Sequence, residues 1–170
     1  MSMVIAIDPG TEQSALVALN GMGNDHPQVM CHMTLPNLEV RQWMLEHHDW
    51  PAVVAVEMIA SYGMAVGKET FQTCLWVGRF VEVWTPKRSE LVYRRDVKLN
   101  LCHSARATDS NIREAILDRF GPGKDKAVGV KAKQGPLYGL KGHEYAALAV
   151  ALTWFDLHGQ DVRPNVVAEF

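Results

Sequence analysis

The sequence predicts an α/β fold, a mixed sheet covered by helices, and three stretches carry the prediction. VIAIDPGTEQSALVAL, residues 4–19, contains two apolar runs joined through Pro9-Gly10, the pattern of a hairpin. AVVAVE, 52–57, is short, apolar and β-branched, as in a central parallel strand covered on both faces. HEYAALAVALTWFDLH, 143–158, reads as a helix with small residues nearly all round, able to lie very close to a sheet.

The remaining elements follow in order. Strands are expected over 3–8 and 14–19 on either side of the turn, and a third over 28–35, QVMCHMTL. Leu38 to His47 has helical spacing and closes before Pro51. A helix over 68–83 carries apolar groups at 71, 74/75, 77/78 and 81, and 89–93 suits one more strand. Two shorter helices follow, Arg95–Cys102 and Ser110–Phe120, the second capped by Thr108 or Asp109 and stopped by Gly121. The glycine- and lysine-rich stretch 121–142 exceeds an ordinary connector, and such loops are usually functional or disordered.

At 170 residues, 48% hydrophobic and 21% charged, the chain suits one domain, 1–170, with a buried core. MSMVIAID lacks the features of a secretion signal, and no apolar run approaches the roughly 18 residues of a membrane span, so a cytoplasmic protein with no membrane partner is expected. Cys31, Cys74 and Cys102 have no ligand spacing and read as reduced core thiols. The net charge of −2 conceals a division: Pro86 to Lys141 holds 13 Lys+Arg against 6 Asp+Glu, and the rest 4 against 13. A solvated basic face is the ordinary meaning of such a run, and a phosphate-following track is the other.

Three acids stand at the ends of separate elements. Asp8 alternates with Val4 and Ala6, Glu57 alternates with Val53 and Ala55, and His143 with Glu144 opens the last helix. Singly, Asp8 reads as a turn former, Glu57 as a solvated strand end, Glu144 as a first-turn acid facing the helix dipole, and His143 as a cap or packed ring. Together they suggest carboxylates converging on one point. That cluster would be costly to bury without a cation, which makes Asp8, Glu57, His143 and Glu144 candidate ligands of Mg²⁺ or Mn²⁺, with two ions expected for phosphodiester hydrolysis.

IDPGT, VAVE, RRDVKLNLC followed by TDSNIREAIL, and HEYAALAVALT resemble, in this order and spacing, the RuvC-type Holliday junction resolvases, especially their divergent bacteriophage branch. The resemblance implies a ribonuclease H-like fold with a mixed five-stranded sheet flanked by helices, a homodimer, and metal-dependent cutting of branched DNA such as the four-way junction. It gives Asp8 and Glu57 the roles of the first- and fourth-strand acids. It places His143 and Ala146 at the closing helix's two acidic positions, so the second acid is absent and Glu144, one residue after His143, becomes the possible substitute. Adjacent helical residues point about 100° apart, so His143 and Glu144 do not both face one ion well. A neutral His143 imidazole at a helix start could bind metal, manganese in particular, or accept a proton from the attacking water.

Lys98 matches a lysine beside the scissile phosphate, and Tyr62 falls near the family's aromatic wedge. Arg94, Arg95 and Arg106 suit bidentate phosphate clamps, while Lys131 and Lys133 could follow the backbone and Lys68 joins the same DNA-binding set. Trp43, Trp76, Trp84 and Trp154 read as core and dimer packing. The rival readings are a ribonuclease H-like nuclease for flaps, forks or RNA, and a DNA-structure-binding protein that lost catalysis with its fourth acid. An actin-like ATPase or sugar kinase shares the Asp-Gly-Thr turn but needs two related domains.

Overall fold

The structure, a computed structural model, describes residues 2–21 and 27–158. Its main strands are β1 (Ser2–Asp8), β2 (Gln13–Gly21), β3 (Gln28–Pro36), β4 (Ala52–Met58) and β5 (Ser89–Tyr93), in one sheet of order β3-β2-β1-β4-β5. The hairpins β1/β2 and β2/β3 are antiparallel, while β4 lies parallel to both β1 and β5. The mixed five-stranded sheet flanked by helices is therefore present. The interior strand at 52–57 is parallel on both sides, as its unbroken apolar run requires.

Helices α1 (Asn37–Glu46) and α2 (Lys68–Trp84) cover one face. There Ile5, Ile7, Val54 and Val56 meet Val40, Met44, Val77, Phe80 and the fully buried Trp84. Helices α3 (Arg94–Cys102), α4 (Asp109–Phe120), α5 (Lys124–Ala127) and α6 (Glu144–His158) cover the other, where Val4, Ala6 and Ala55 meet Val97, Ile112, Ile116, Leu148 and Trp154. Odd and even positions of β1 thus serve opposite cores, as the two-residue period of a strand dictates. Close approach of α6 follows from its small side chains: Ala147, Ala149 and Ala151 are wholly buried. At its far end a Cβ on Gly21 would fall inside the Phe155 ring.

Several expectations are refined. Segment 121–142 is folded: α5 leads into a two-residue hairpin of β6 (Gly129–Val130) and β7 (Lys133–Gln134), and Ala127, Leu137 and Leu140 are buried in the α6-side core. Gly135 permits this fold, since a Cβ there would stand 2.4 Å from the Lys126 carbonyl oxygen. The three cysteines are free but only half-buried, Cys31 and Cys102 at the margins of the two cores. Trp84 and Trp154 are core residues, whereas Trp43 and Trp76 are only partly covered. No helix among the described residues is long and apolar enough to cross a membrane.

The turn after Asp8 is held from beneath. Ser14 Oγ accepts from the Gly10 amide (3.2 Å) and donates to Asn37 Oδ1 (2.6 Å), while Asn37 Nδ2 donates to the Gly10 carbonyl (2.9 Å). Ser14 and Asn37 are both about 1% exposed, so these bonds are shielded from water. Gly10 itself is required, because a Cβ would lie 2.4 Å from the Gln13 carbonyl oxygen. Asn37→Ala leaves the Ser14 hydroxyl proton and the half-buried Gly10 carbonyl without their acceptor and donor, and a loss of about 1–3 kcal/mol of unfolding free energy is expected by chemical denaturation. A change within about 0.5 kcal/mol, the ordinary range for surface substitutions, would show that the turn is held by other means.

Candidate active site

Asp8 closes β1 on the face of Val4 and Ala6, and Glu57 sits near the end of β4 on the face of Ala55; these apolar residues belong to the α6-side core. The parallel ladder pairs Ile7 with Val56, one residue before each acid, so both carboxyls emerge side by side at one edge of the sheet. His143, immediately before α6, reaches Asp8: its Nδ1–H donates to Asp8 Oδ2 at 2.8 Å. With Nδ1 so engaged, the Nε2 lone pair is free on a ring that is 78% exposed.

Arg94, the first residue of α3, places Nη1 3.5 Å from Glu57 Oε1 and pairs through Nη2 with Asp109 at the start of α4. These residues line a cavity of about 540 Å³ together with Ser110, Ile112, Arg113, Tyr145 and Ala146. Burial pushes the Asp8 carboxyl up, against the hydrogen bond and charge of His143. Glu57 is pushed up to about 7, first by burial and then by the negative charge of Asp8, with Arg94 pulling the other way. Two carboxyls with too little positive charge between them suit a hard divalent cation, which Mg²⁺ sites commonly hold through one or two carboxylates plus substrate phosphate. The donors that face this space are Asp8, Glu57 and the Nε2 of His143. Among the described residues no group of three or more His, Cys, Asp or Glu side chains forms a ready-made ligand cluster.

Glu144 turns the other way. Its carboxylate, on a residue 2% exposed, accepts from His32 Nδ1–H (2.8 Å), Thr34 Oγ1 (3.2 Å) and the Lys141 amide (3.2 Å), and it lines a second cavity with His32, Thr34 and Gln13. His32 and Thr34 alternate on β3, so Glu144 fastens the start of α6 to that strand while His143 faces Asp8. Ala146 does line the first cavity, with no ligand to offer.

The expected DNA-binding residues are spread more widely. Tyr62 (60% exposed) occupies the loop after β4, and Lys68 opens α2, also exposed. Lys98 lies one turn beyond Arg94 on α3, half-buried and outside the lining of the cavity, and Arg95 is exposed beside Arg94. Arg106 lines a different cleft, with Cys102 and Asn111, and Lys131 and Lys133 stand exposed at the tip of the β6/β7 hairpin. Sequence reasoning missed Asp109, which it considered only as a cap, and also Ser110, Arg113 and Tyr145. The available signal was helical spacing, since Asp109 and Arg113 stand one turn apart at the start of α4, behind the Thr108 capping box.

No protein-family model matches the sequence, and no curated protein matches it. Among solved structures, RuvC of Thermus thermophilus superimposes with a TM-score of 0.67, covering 92% of this chain and 96% of that one at 18% identity. The chain has the fold of RuvC. T. thermophilus RuvC in complex with Holliday junction substrate superimposes with a TM-score of 0.62 at 19% identity, covering 90% of this chain and 92% of the other. At this identity the likeness concerns the RuvC fold, and the site is argued from its own residues.

The raised Glu57 carboxyl has a measurable consequence. Between about 4.5 and about 7 the folded protein holds a proton that the unfolded chain has released, so metal-free stability is full below that window and falls as pH rises through it. A shift of this size corresponds to up to about 3 kcal/mol. Urea denaturation at the two ends of the window, without divalent ions, should show the fall, and Glu57→Gln should remove most of it. An equal pH slope in wild type and variant would place the titrating group elsewhere.

Proposed function

We propose that this protein is a metal-dependent nuclease that cuts four-way or otherwise branched DNA. The observation that carries the reading is the pair of buried carboxyls, Asp8 and Glu57, at adjacent ends of parallel strands with His143 against one of them, within a RuvC-like fold. The solved RuvC complex with Holliday junction substrate supports the choice of DNA. In this reading Asp8 and Glu57 hold Mg²⁺ or Mn²⁺, and the expectation of a second ion rests on His143 beyond those two acids. When bound, a divalent ion lowers the pKa of water toward neutrality and stabilises charge on the transferring phosphoryl group.

The chain's own residues do the rest. Asp8 holds the His143 ring through Nδ1, so the single Nε2 lone pair serves either a second ion or, in its place, the proton of the attacking water. Arg94 supplies a delocalised positive charge beside Glu57, and Lys98, one turn on, remains the candidate for approaching a phosphate from α3. Tyr62, Lys68, Arg95, Arg106, Lys131 and Lys133 are assigned to the DNA strands outside the cavity. A second reading, binding of DNA structures without cutting, is favoured by Ala146, which leaves α6 without a carboxyl at that point of the cavity.

Paired cuts across a junction need two sites, and α2 offers a face for a homodimer. Phe71 and Leu75, one turn apart, are 64% and 58% exposed, and Met64 and Val66 extend the apolar surface. Light scattering is expected to give a dimer for the wild type and a monomer for Phe71→Glu/Leu75→Glu, with unchanged circular dichroism. A monomeric wild type would remove the dimer from the proposal.

The deciding experiment is cleavage of a labelled four-way junction beside duplex, flap, fork and RNA-containing controls, in Mg²⁺, Mn²⁺ or EDTA. Symmetric metal-dependent nicks in the junction are expected, and Asp8→Asn should reduce cutting to background while junction binding persists. Binding without cutting in either metal selects the non-catalytic reading. Loss of both binding and cutting in Asp8→Asn would count against this assignment of the site.

A further inference from the structure

Three guanidiniums of this surface are held by acids. Arg94 is paired with Glu57 and Asp109, Arg119 with Asp156, and Arg88 with Glu90. Arg113 differs. Among the described residues its guanidinium has no carboxylate partner; it lies over the Tyr145 ring, 4.4 Å from the ring centroid, and lines the cavity that holds Asp8, Glu57 and His143. A guanidinium resting on an aromatic face keeps its N–H edge free, and the contact fixes a side chain that otherwise loses much rotamer freedom when it binds.

Tyr145 suits the supporting role. The residue is 6% exposed, and its hydroxyl is buried without a hydrogen-bond partner among the described residues, so no hydroxyl contact explains the ring's position. What the ring presents is a rigid face beneath Arg113. Charge in the cavity points the same way. Three carboxyls, Asp8, Glu57 and Asp109, stand against two guanidiniums, Arg94 and Arg113, with Arg94 already occupied between two of the acids. Once a divalent cation compensates the carboxyls, the lining carries net positive charge and Arg113 is its unmatched donor.

We infer that Arg113, seated on Tyr145, is a phosphodiester-binding residue on the α4 wall of the cavity, taking a backbone phosphate of the strand that passes Asp8 and Glu57. The inference rests on the nuclease or DNA-binding reading for its strand, but its chemistry is that of a fork of N–H donors on two phosphate oxygens. Arg113 is exposed, so substitution there does not disturb the core.

The test is fluorescence anisotropy with a labelled four-way junction and a labelled single strand, in Ca²⁺ and across a KCl series. Arg113→Ala is expected to weaken binding about tenfold and to lower the salt slope by about one. Arg113→Lys, which keeps the charge and loses the stacked fork, should restore the slope but not the affinity. Tyr145→Phe should bind as wild type and Tyr145→Leu should resemble Arg113→Lys. Wild-type affinity and slope in Arg113→Ala would overturn the inference and leave the nuclease reading intact. If the wild type binds neither DNA, that reading fails, and dimethyl phosphate then decides this one by nitrogen-proton NMR. A saturable shift of the Arg113 Nε–H that disappears in Tyr145→Leu supports the inference, and no shift in the wild type overturns it.

Discussion

Two carboxyl groups withdrawn from water at neighbouring strand ends set the terms for the rest of this molecule. Asp8 and Glu57 are drawn to one place by the parallel β1/β4 ladder, whose period sends both to the face that α6 covers. Burial makes their joint ionisation unfavourable, visible in the Glu57 carboxyl pushed up to about 7. The surrounding chain responds with positive charge and hydrogen bonds: Arg94 from α3 beside Glu57, and His143 against Asp8. Partial compensation of this kind keeps a site open to a cation from outside, because a fully matched pair would have no need of one.

How close α6 comes to the sheet decides whether His143 arrives at all. The wholly buried alanines at 147, 149 and 151 allow that approach, and Glu144 fixes it, since its buried carboxylate gathers donors from β3 and from the loop before the helix. Two adjacent residues therefore take different duties because a helix turns by about 100° per residue: His143 faces the acids, and Glu144 faces the strand that holds the helix in place.

Strand ends were legible in the sequence because a two-residue alternation states which face each carboxyl shares. Asp8 with Val4 and Ala6, and Glu57 with Ala55, could be read without knowing any partner. The parallel nature of β4 was legible in its unbroken apolar run. Arg113 and Tyr145 were not legible as neighbours, because their contact depends on how α4 and α6 are rotated against each other, 32 positions apart in the chain. His32 and Glu144 present the same difficulty across 112 positions. Segment 121–142 misled through composition. Glycine and lysine suggest a solvated loop, yet Ala127, Leu137 and Leu140 reach the core from a one-turn helix and a separate turn too short to show a period, while the glycines allow backbone to pass close to backbone.

Whole-chain charge is a poor guide here for a reason the fold makes explicit. Residues 86–141, with 13 basic against 6 acidic side chains, supply Val92, Val97, Ile112, Ile116, Ala127, Leu137 and Leu140 to the core on the α6 side. The basic segment is thus layered over the face from which Asp8 and Glu57 emerge. On the opposite face α1 and α2 mix Glu39, Glu46, Glu69 and Glu82 with Arg41, Lys68 and Arg79 and are close to neutral. A polyanion would meet its attraction mainly on the α6 side of the sheet, and that attraction would grow as salt is lowered. In the reading proposed above, this uneven charge would favour approach of a polyanion to the face from which the two carboxyls emerge, with the near-neutral α1/α2 face contributing little.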